Sequence, residues 1–541
     1  MVGKLKFNVA KIIGKVLSHV AHYGPGNGMN YPGLMFSKIA GQEAVGDLAK
    51  DLKLGSVLVT GTNGKTTTTT LFIKLISQDI QIRSSYENNT INSIATALLK
   101  YKGDLGVFEY GIRNIKYGIP DTVQRLVDPI GVVYTTISQE HTQVAGVKNP
   151  FESYFHAKEL LSEGMARGVV VANCDDPRTA LIGINKSRDI DVNFYGISTD
   201  IIQNPGANTI KCPKCGEMLD YSHFYLNHRG IYTCKCGFKR PEPNVKLVGA
   251  EFNSDSWILN IEGELFNYFA KKNISLNLKL NVPPFGFHNI YNTLASITAY
   301  ATFTPKLDNI ENNIYNIFNN MDMSFIPPGR FEVVDVGGKF IGLGQGDNGD
   351  ALKINAMFMN QYVDGPLEFI YTTPDENEEE VFYDHYEVLK SMNPDSVIVV
   401  PGRKSIKKAE EYYNIIKKDY PSAKFYPLSY DEMKVRIEKI LKYKHVFLTI
   451  GMYVFIPVLN ECDIYSKKDY NFKLSQEEFD MYSHEKERMF GILIKKGSDE
   501  YIIGSCDLCG CSIDASFVEI KKSNLEFYKK LKEIIDNEII F

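Results

Sequence analysis

The chain has 541 residues, 44% of them hydrophobic and 23% charged, which is enough apolar material for several buried cores and, by length, about three or four domains. A formal net charge of -5 excludes a general attraction to nucleic acid, and no stretch approaches the roughly 18 uninterrupted apolar residues that a membrane span requires. Most of the nine cysteines lie in two clusters of close pairs, which suits metal ligation in a reducing compartment better than a disulfide framework, so the expected location is the cytoplasm.

The N-terminus places Leu5, Val9, Ile12, Ile13, Val16, Leu17 and Val20 at helical spacing, interrupted by Lys4, Lys6, Lys11 and Lys15. It reads as a helix packed on the next domain, with a basic helix resting on an anionic membrane surface as the other reading. Tyr23 to Gly33 is dense in Gly, Pro and Asn and reads as a loop. From Ser56 to about Pro177 the runs "SVLVTG", "DLGVFEYG", "IGVVYTT" and "GVVVANCDDP" alternate with helical patterns, which argues a parallel sheet flanked by helices. A cysteine-bearing insert occupies 204–243, and "EFNSDSWILNIEG" with "KNISLNLKLNVP" then suggests antiparallel strands.

"PPGRFEVV", Pro327 to Val334, marks a domain junction. A second α/β unit follows through "GPLEFIYTT", "DSVIVVPGR", "AKFYPLS" and "HVFLTIG", and the tail "NLEFYKKLKEIIDNEII" reads as amphipathic helix. The expected division is a helical segment over 1–50, a central nucleotide-binding domain over 51–330, a Rossmann-like α/β domain over 331–460 and a small extension over 461–541.

The stretch "VTGTNGKTTTT" starts at Val59, between an apolar strand and an apolar-periodic helix. In that order, backbone N–H groups around Gly61, Thr62, Asn63 and Gly64 face an anion, and the helix N-terminus adds its dipole. Lys65 would reach the β/γ-phosphates of ATP, with Thr66 as a ligand of Mg²⁺ and Thr67 beside it. The general eight-residue phosphate-loop pattern asks for glycine where this chain has Val59.

The form "GTNGKTTTT" resembles the Mur ligase family, ATP-dependent enzymes that join amino acids to cell-wall peptide precursors. Other segments agree with it in order. "DLGVFEYG" resembles the strand carrying a Mg²⁺-binding glutamate, here Glu109, and "TTISQEHT" the segment giving His141 as a second metal contact. "FESYFHAKELLSEG" resembles the stretch whose lysine, here Lys158, is carbamylated in many members. "FGFHNIYNTLAS" is similar to the element near the adenine, giving Asn289 and Asn292, and "PPGRFE" to the linker carrying Arg330. The resemblance implies a three-domain architecture and a reaction in which a carboxylate takes the γ-phosphate to give an acyl phosphate that an amine opens. It places "GQGDNGD" on a third-domain loop facing the nucleotide, so Asp347, Asn348 and Asp350 are candidates to contact ATP or Mg²⁺. Asp384 and His385 are weighed as groups that orient an amine, against a structural role.

Within the insert, Cys212, Cys215, Cys234 and Cys236 form two thiol pairs about 20 residues apart, the spacing of a structural Zn²⁺ ribbon. His223 and His228 in the same insert read as surface residues, with replacement of one thiol ligand as the other reading. The ribbon, ending in "RPEP", resembles the MurT branch of the family, whereas Lys158 and the "EHT" triplet resemble true peptide ligases; the pseudomurein peptide ligases of methanogenic archaea are related to both. Near the end Cys506, Cys509 and Cys511 read as free thiols in a hairpin, with a second zinc as the other reading.

Three functions are open at this stage. One is a complete ligase adding an amino acid to a nucleotide-linked or lipid-linked pseudomurein precursor. Another is a MurT-like amidating subunit fed with ammonia by a glutaminase. The third is a non-catalytic ATP-binding scaffold.

Overall fold

The computed structural model describes residues 2–20, 30–86, 90–112, 115–138, 150–200, 209–253, 256–283, 285–321, 332–336, 339–344, 349–359, 365–374, 379–400, 406–425, 445–449, 489–496 and 499–506. They divide into two compact units, the first ending at Met323 and the second starting at Ser324.

The first unit is built on a nine-stranded sheet. Its strands are β1 (Gly55–Thr60), β2 (Ile82–Ser85), β3 (Leu105–Glu109), β4 (Gly131–Tyr134), β5 (Gly168–Asn173), β6 (Ile190–Ile197), β9 (Val245–Asn253), β10 (Ser256–Asn267) and β11 (Lys272–Val282), with β7 (Asp220–Leu226) and β8 (Arg229–Thr233) forming a separate hairpin. The order is β11-β10-β9-β6-β5-β4-β1-β3-β2. Pairings from β2 across to β9 are parallel, and the β9-β10-β11 edge is antiparallel. The four apolar runs read from the sequence are β1, β3, β4 and β5, and every residue of β3, β4 and β5 is buried. Burial on both faces is what a parallel sheet covered by helices imposes, and it is why these strands are continuously apolar rather than alternating.

On one face lies the helix His288–Phe303, in which every residue from Asn289 onward is buried. The N-terminal helices share the core on the sheet: Ala10, Phe36, Val45 and Leu48 belong to one apolar cluster with Leu99, Phe108 and Val132.

The second unit has a six-stranded sheet, β12 (Glu332–Val336), β13 (Lys339–Gly344), β14 (Leu367–Thr372), β15 (Ser396–Val400), β16 (Lys424–Phe425) and β17 (His445–Thr449), in the order β12-β13-β17-β14-β15-β16. Only the β12–β13 edge is antiparallel. A hairpin, β18 (Met489–Lys496) with β19 (Asp499–Cys506), is described from the last part of the chain; Cys506 ends it, while Cys509, Cys511 and the tail read as helix lie outside the described residues.

Candidate active site

The carboxyl ends of β1, β3, β4 and β5 meet on one edge of the parallel sheet, the place where open α/β sheets bind ligands. The loop from Gly61 to Gly64 leaves β1 here and enters the helix Lys65–Ile76. Gly64, the residue before that helix, has φ +84°, and a Cβ on it would stand 2.2 Å from Asn292 Oδ1. Gly61 is equally confined, since a Cβ there would lie 1.9 Å from Thr135 Oγ1. Both glycines are therefore required by the fold of the loop. No side chain caps the helix, so its first amides are presented to the loop's concavity, the arrangement that receives phosphate.

The loop is held rigidly from below. Thr62 donates its amide to the Thr136 carbonyl at 2.6 Å, and its hydroxyl accepts from the Ser138 amide at 3.0 Å and lies 2.8 Å from the Tyr154 hydroxyl. Thr135 donates to the Asn63 carbonyl at 2.6 Å. Lys158, only 1% exposed, donates from Nζ to the Gly61 carbonyl at 2.9 Å and sits over the Tyr154 ring. Lys65 folds back to the Thr62 carbonyl at 2.6 Å, and Lys65, Thr66 and Thr67 are half-buried at the mouth. The Thr66 hydroxyl donates to Glu109 Oε1 at 3.2 Å; Glu109 ends β3 and is 2% exposed. A buried carboxylate and a hydroxyl at the head of a helix are hard oxygen donors of the kind Mg²⁺ takes.

Asn292 packs against the loop at Gly64, accepts from Thr68 Oγ1 at 3.4 Å and donates to Asn289 Oδ1 at 2.8 Å. The structure thus brings together Gly61, Thr62, Asn63, Gly64, Lys65, Thr66, Thr67, Glu109, Lys158, Asn289 and Asn292. His141, Arg330, Asp347 and Asn348 lie outside the described residues, as does the Asp350 side chain. In the second unit His385 is a core residue, 2% exposed, with Nδ1 3.0 Å from the Tyr371 hydroxyl, while Asp384 is exposed.

Residues 59–224, from the phosphate loop into β7, match the Mur ligase middle domain. Over those residues the chain carries a Mur ligase middle domain. The MurT subunits of lipid II isoglutaminyl synthase from Staphylococcus aureus and Streptococcus pneumoniae are each 26% identical to it, over 243 and 293 residues, covering 42% and 52% of this chain. The chain spans 53% and 59% of the length of these curated relatives. Among solved structures, a pseudomurein peptide ligase type C from Methanothermus fervidus is similar in fold (TM-score 0.56, 24% identity, 75% of this chain and 78% of that one). A MurF ligase from Thermotoga maritima, in complex with ADP, shares the fold at TM-score 0.51 and 16% identity, again over 75% of this chain and 78% of its own.

The ribbon brings the sulfur atoms of Cys212, Cys215, Cys234 and Cys236 within 4.8 Å of one another, the one such cluster among the described residues. The Phe238 amide draws the Cys236 thiol down to about 7. Cys215 is pushed up to about 12: the Glu217 amide would lower it, but burial and the three neighbouring sulfurs outweigh that bond. Four crowded thiols that cannot all ionise alone are suited to a divalent cation that replaces their protons.

Beyond the sulfurs, the β7–β8 hairpin drives its tip into the same sheet edge. His228 and His223, read as surface residues, are not: His228 is 5% exposed with Nε2 3.3 Å from Asp176 Oδ2, and the His223 side chain is 11% exposed. Asp176 is fully buried and accepts from Thr136 Oγ1 at 2.7 Å, from the Ile137 amide at 2.6 Å and from the Arg178 amide at 2.9 Å. Burial would raise its carboxyl, but the charge and hydrogen bond of His228, then Arg178 and the Ile137 amide, hold it well below the usual carboxylate range. Its neighbour Asp175, also fully buried, accepts from Arg240 Nε at 2.6 Å and from the Tyr291 hydroxyl at 2.9 Å. Arg240 is the arginine of "RPEP", so that motif ties the end of the ribbon to the end of β5.

Thr136, Asp176 and His228 escape a sequence reading. The available signal was Asp176 before Pro177, an N-cap and first-turn pair, and Asp176 does cap the helix Pro177–Ile184.

Proposed function

We propose that this chain is an ATP-dependent amide-bond ligase of the Mur ligase type that works through an acyl phosphate and adds an amino acid to a pseudomurein cell-wall peptide precursor carried on a nucleotide or a lipid. The observation that carries the reading is the joining of an uncapped helix head, Lys65 and the Thr66–Glu109 pair at one sheet edge. An anion cradle beside hard oxygen donors suits a Mg²⁺-bound triphosphate and the transfer of its terminal phosphate.

In the proposed reaction a carboxylate oxygen of the precursor attacks the γ-phosphorus of ATP, and the bond to the leaving ADP oxygen breaks. The amine of the incoming amino acid then attacks the acyl carbon, releasing phosphate and a proton. Lys65 turns from the Thr62 carbonyl to the transferring phosphate, and the amides at the uncapped head of the helix, from Gly64 to Thr66, hold the remaining phosphate oxygens. Thr66 and Glu109, with His141, would hold Mg²⁺, which supplies neutralisation of the charge that builds on the phosphate. Lys158, which braces the loop through Gly61, becomes an anionic group beside it when carbamylated. Asn289, Asn292, Arg330, Asp347 and Asn348 complete the nucleotide contacts, and the four cysteines hold a structural Zn²⁺ that folds the ribbon.

A second reading, a MurT-like subunit that amidates a glutamate with ammonia from a glutaminase partner, is favoured by the 26% identity to MurT subunits. A screen of amino acids with purified chain, ATP and a cell-wall acceptor separates the two. ADP release by the chain alone with one amino acid supports the ligase. Turnover that appears only with a glutaminase supports the amidating subunit, and nucleotide binding without turnover under every condition leaves a scaffold.

A further inference from the structure

The helix Val2–Val20 has two apolar faces, and only one is used. Its inner face is made of small residues: Ala10 and Ser18 are buried, and a Cβ on Gly14 would stand 2.7 Å from Leu99 Cδ1. Phe7 on that side meets Phe36 edge to face. On the outer side Leu5, Val9, Ile12 and Val16 are 67%, 42%, 64% and 56% exposed. Their spacing of four, three and four residues sets them in one aliphatic stripe about 16 Å long. At about 100° per residue, Lys15 falls on one flank of this stripe and Lys6 on the other, and both are exposed.

The segment carries Lys4, Lys6, Lys11 and Lys15 and no acidic residue; Lys11 pairs with Asp51 at 3.0 Å. Ordinary surface helices put polar residues outward, so four exposed aliphatic side chains in register call for an apolar phase. A lysine border without acids calls for negative charge around that phase. A second copy of this face would set lysine against lysine, which argues against self-pairing. No described helix is long and apolar enough to cross a membrane.

We propose that the outer face of Val2–Val20 docks the protein on an anionic membrane surface, with the helix lying in the interface plane, its aliphatic stripe among the acyl chains and Lys6 and Lys15 at the headgroups. The proposal stands apart from the ligase reading, because its readout is vesicle binding and not turnover.

The test is co-sedimentation of the full chain with vesicles of equal parts phosphatidylglycerol and phosphatidylcholine, against phosphatidylcholine alone. The bound fraction is expected to fall about tenfold on neutral vesicles, and to fall strongly when salt is raised to about 0.5 M. Ile12→Asp with Val16→Asp, and separately Lys6→Glu with Lys15→Glu, should each remove binding while the melting temperature stays within a few degrees of the parent. Wild-type chain that stays in solution with anionic vesicles overturns the proposal, as does undiminished binding by a folded Ile12→Asp, Val16→Asp variant. So does a dimer in sedimentation analysis that this same variant dissociates, because a second copy then covers the stripe.

Discussion

The phosphate corner and the ribbon corner sit on one sheet edge, two strands apart, and handle buried polar groups in opposite ways. At the phosphate loop the helix head has no side-chain cap, and Lys65 and Thr66 stay half-buried at the mouth. At the ribbon tip Asp176 has no exposure and gathers Thr136, Ile137, Arg178 and His228 onto one carboxylate. One corner keeps donors for a ligand; the other turns donors inward to fix a backbone. The two join at Thr136, whose hydroxyl donates to Asp176 and whose carbonyl accepts the amide of Thr62. The closed corner is thus the anvil on which the open one is shaped.

The sharpest way to separate them is to damage each alone. Lys65→Ala removes the charge proposed to meet the transferring phosphate, at the cost of one hydrogen bond to the Thr62 carbonyl, and turnover should fall by about 10³-fold or more while the melting temperature holds. Activity that survives this change removes the phosphate-loop assignment. His228→Ala acts on the other side. It leaves the buried Asp176 without its imidazole partner, a loss of about 3 kcal/mol in urea unfolding. If the closed corner shapes the loop, nucleotide affinity falls with it, by about tenfold. Lost stability with unchanged affinity would make the ribbon tip a fastening only.

What the sequence disclosed follows the same division. Strands β1, β3, β4 and β5 are legible because both faces are covered, so their middle residues are apolar and polar ones stand only near the ends. The phosphate loop is legible because its chemistry is local: glycines, lysine and threonine adjoin in sequence as they do in space. β6 is not, because it carries Asn193, a residue that reads as loop. Asn193 is buried because its amide donates to the Phe266 carbonyl and Thr302 Oγ1, both distant in sequence. His228 escapes for the same reason. A histidine in a thiol-rich insert reads as surface until the hairpin is seen to carry it to Asp176. The role of Arg240 likewise needs the end of β5 to be placed beside it.

A smaller effect tests how tightly the loop is specified. Gly64→Ala forces a side chain into the left-handed region and against Asn292, and should cost about 1–2 kcal/mol for the backbone alone. Asn292→Gly in that background should recover only the collision and not the strain, as a double-mutant cycle would resolve. Full recovery would mean that crowding by Asn292, and not the turn, fixes glycine at this position.

The narrowest test, and the most specific, concerns the change with acid. The folded protein holds the Asp176 carboxyl below its ordinary value, so its charge contributes stability that is fully present above the unfolded carboxylate pKa of about 3.9. That contribution fades as pH falls below this value, since the unfolded chain then takes up a proton that the folded chain refuses. Asp176→Asn keeps the shape but has no proton to take up, so its stability lacks this term at every pH. The stability gap between parent and variant should therefore be constant from pH 7 to about pH 5 and narrow steadily below pH 4. A gap that stays level through the acid range would show that the fold does not lower the Asp176 carboxyl at all, and a gap that widens as pH falls would show that the fold holds it protonated.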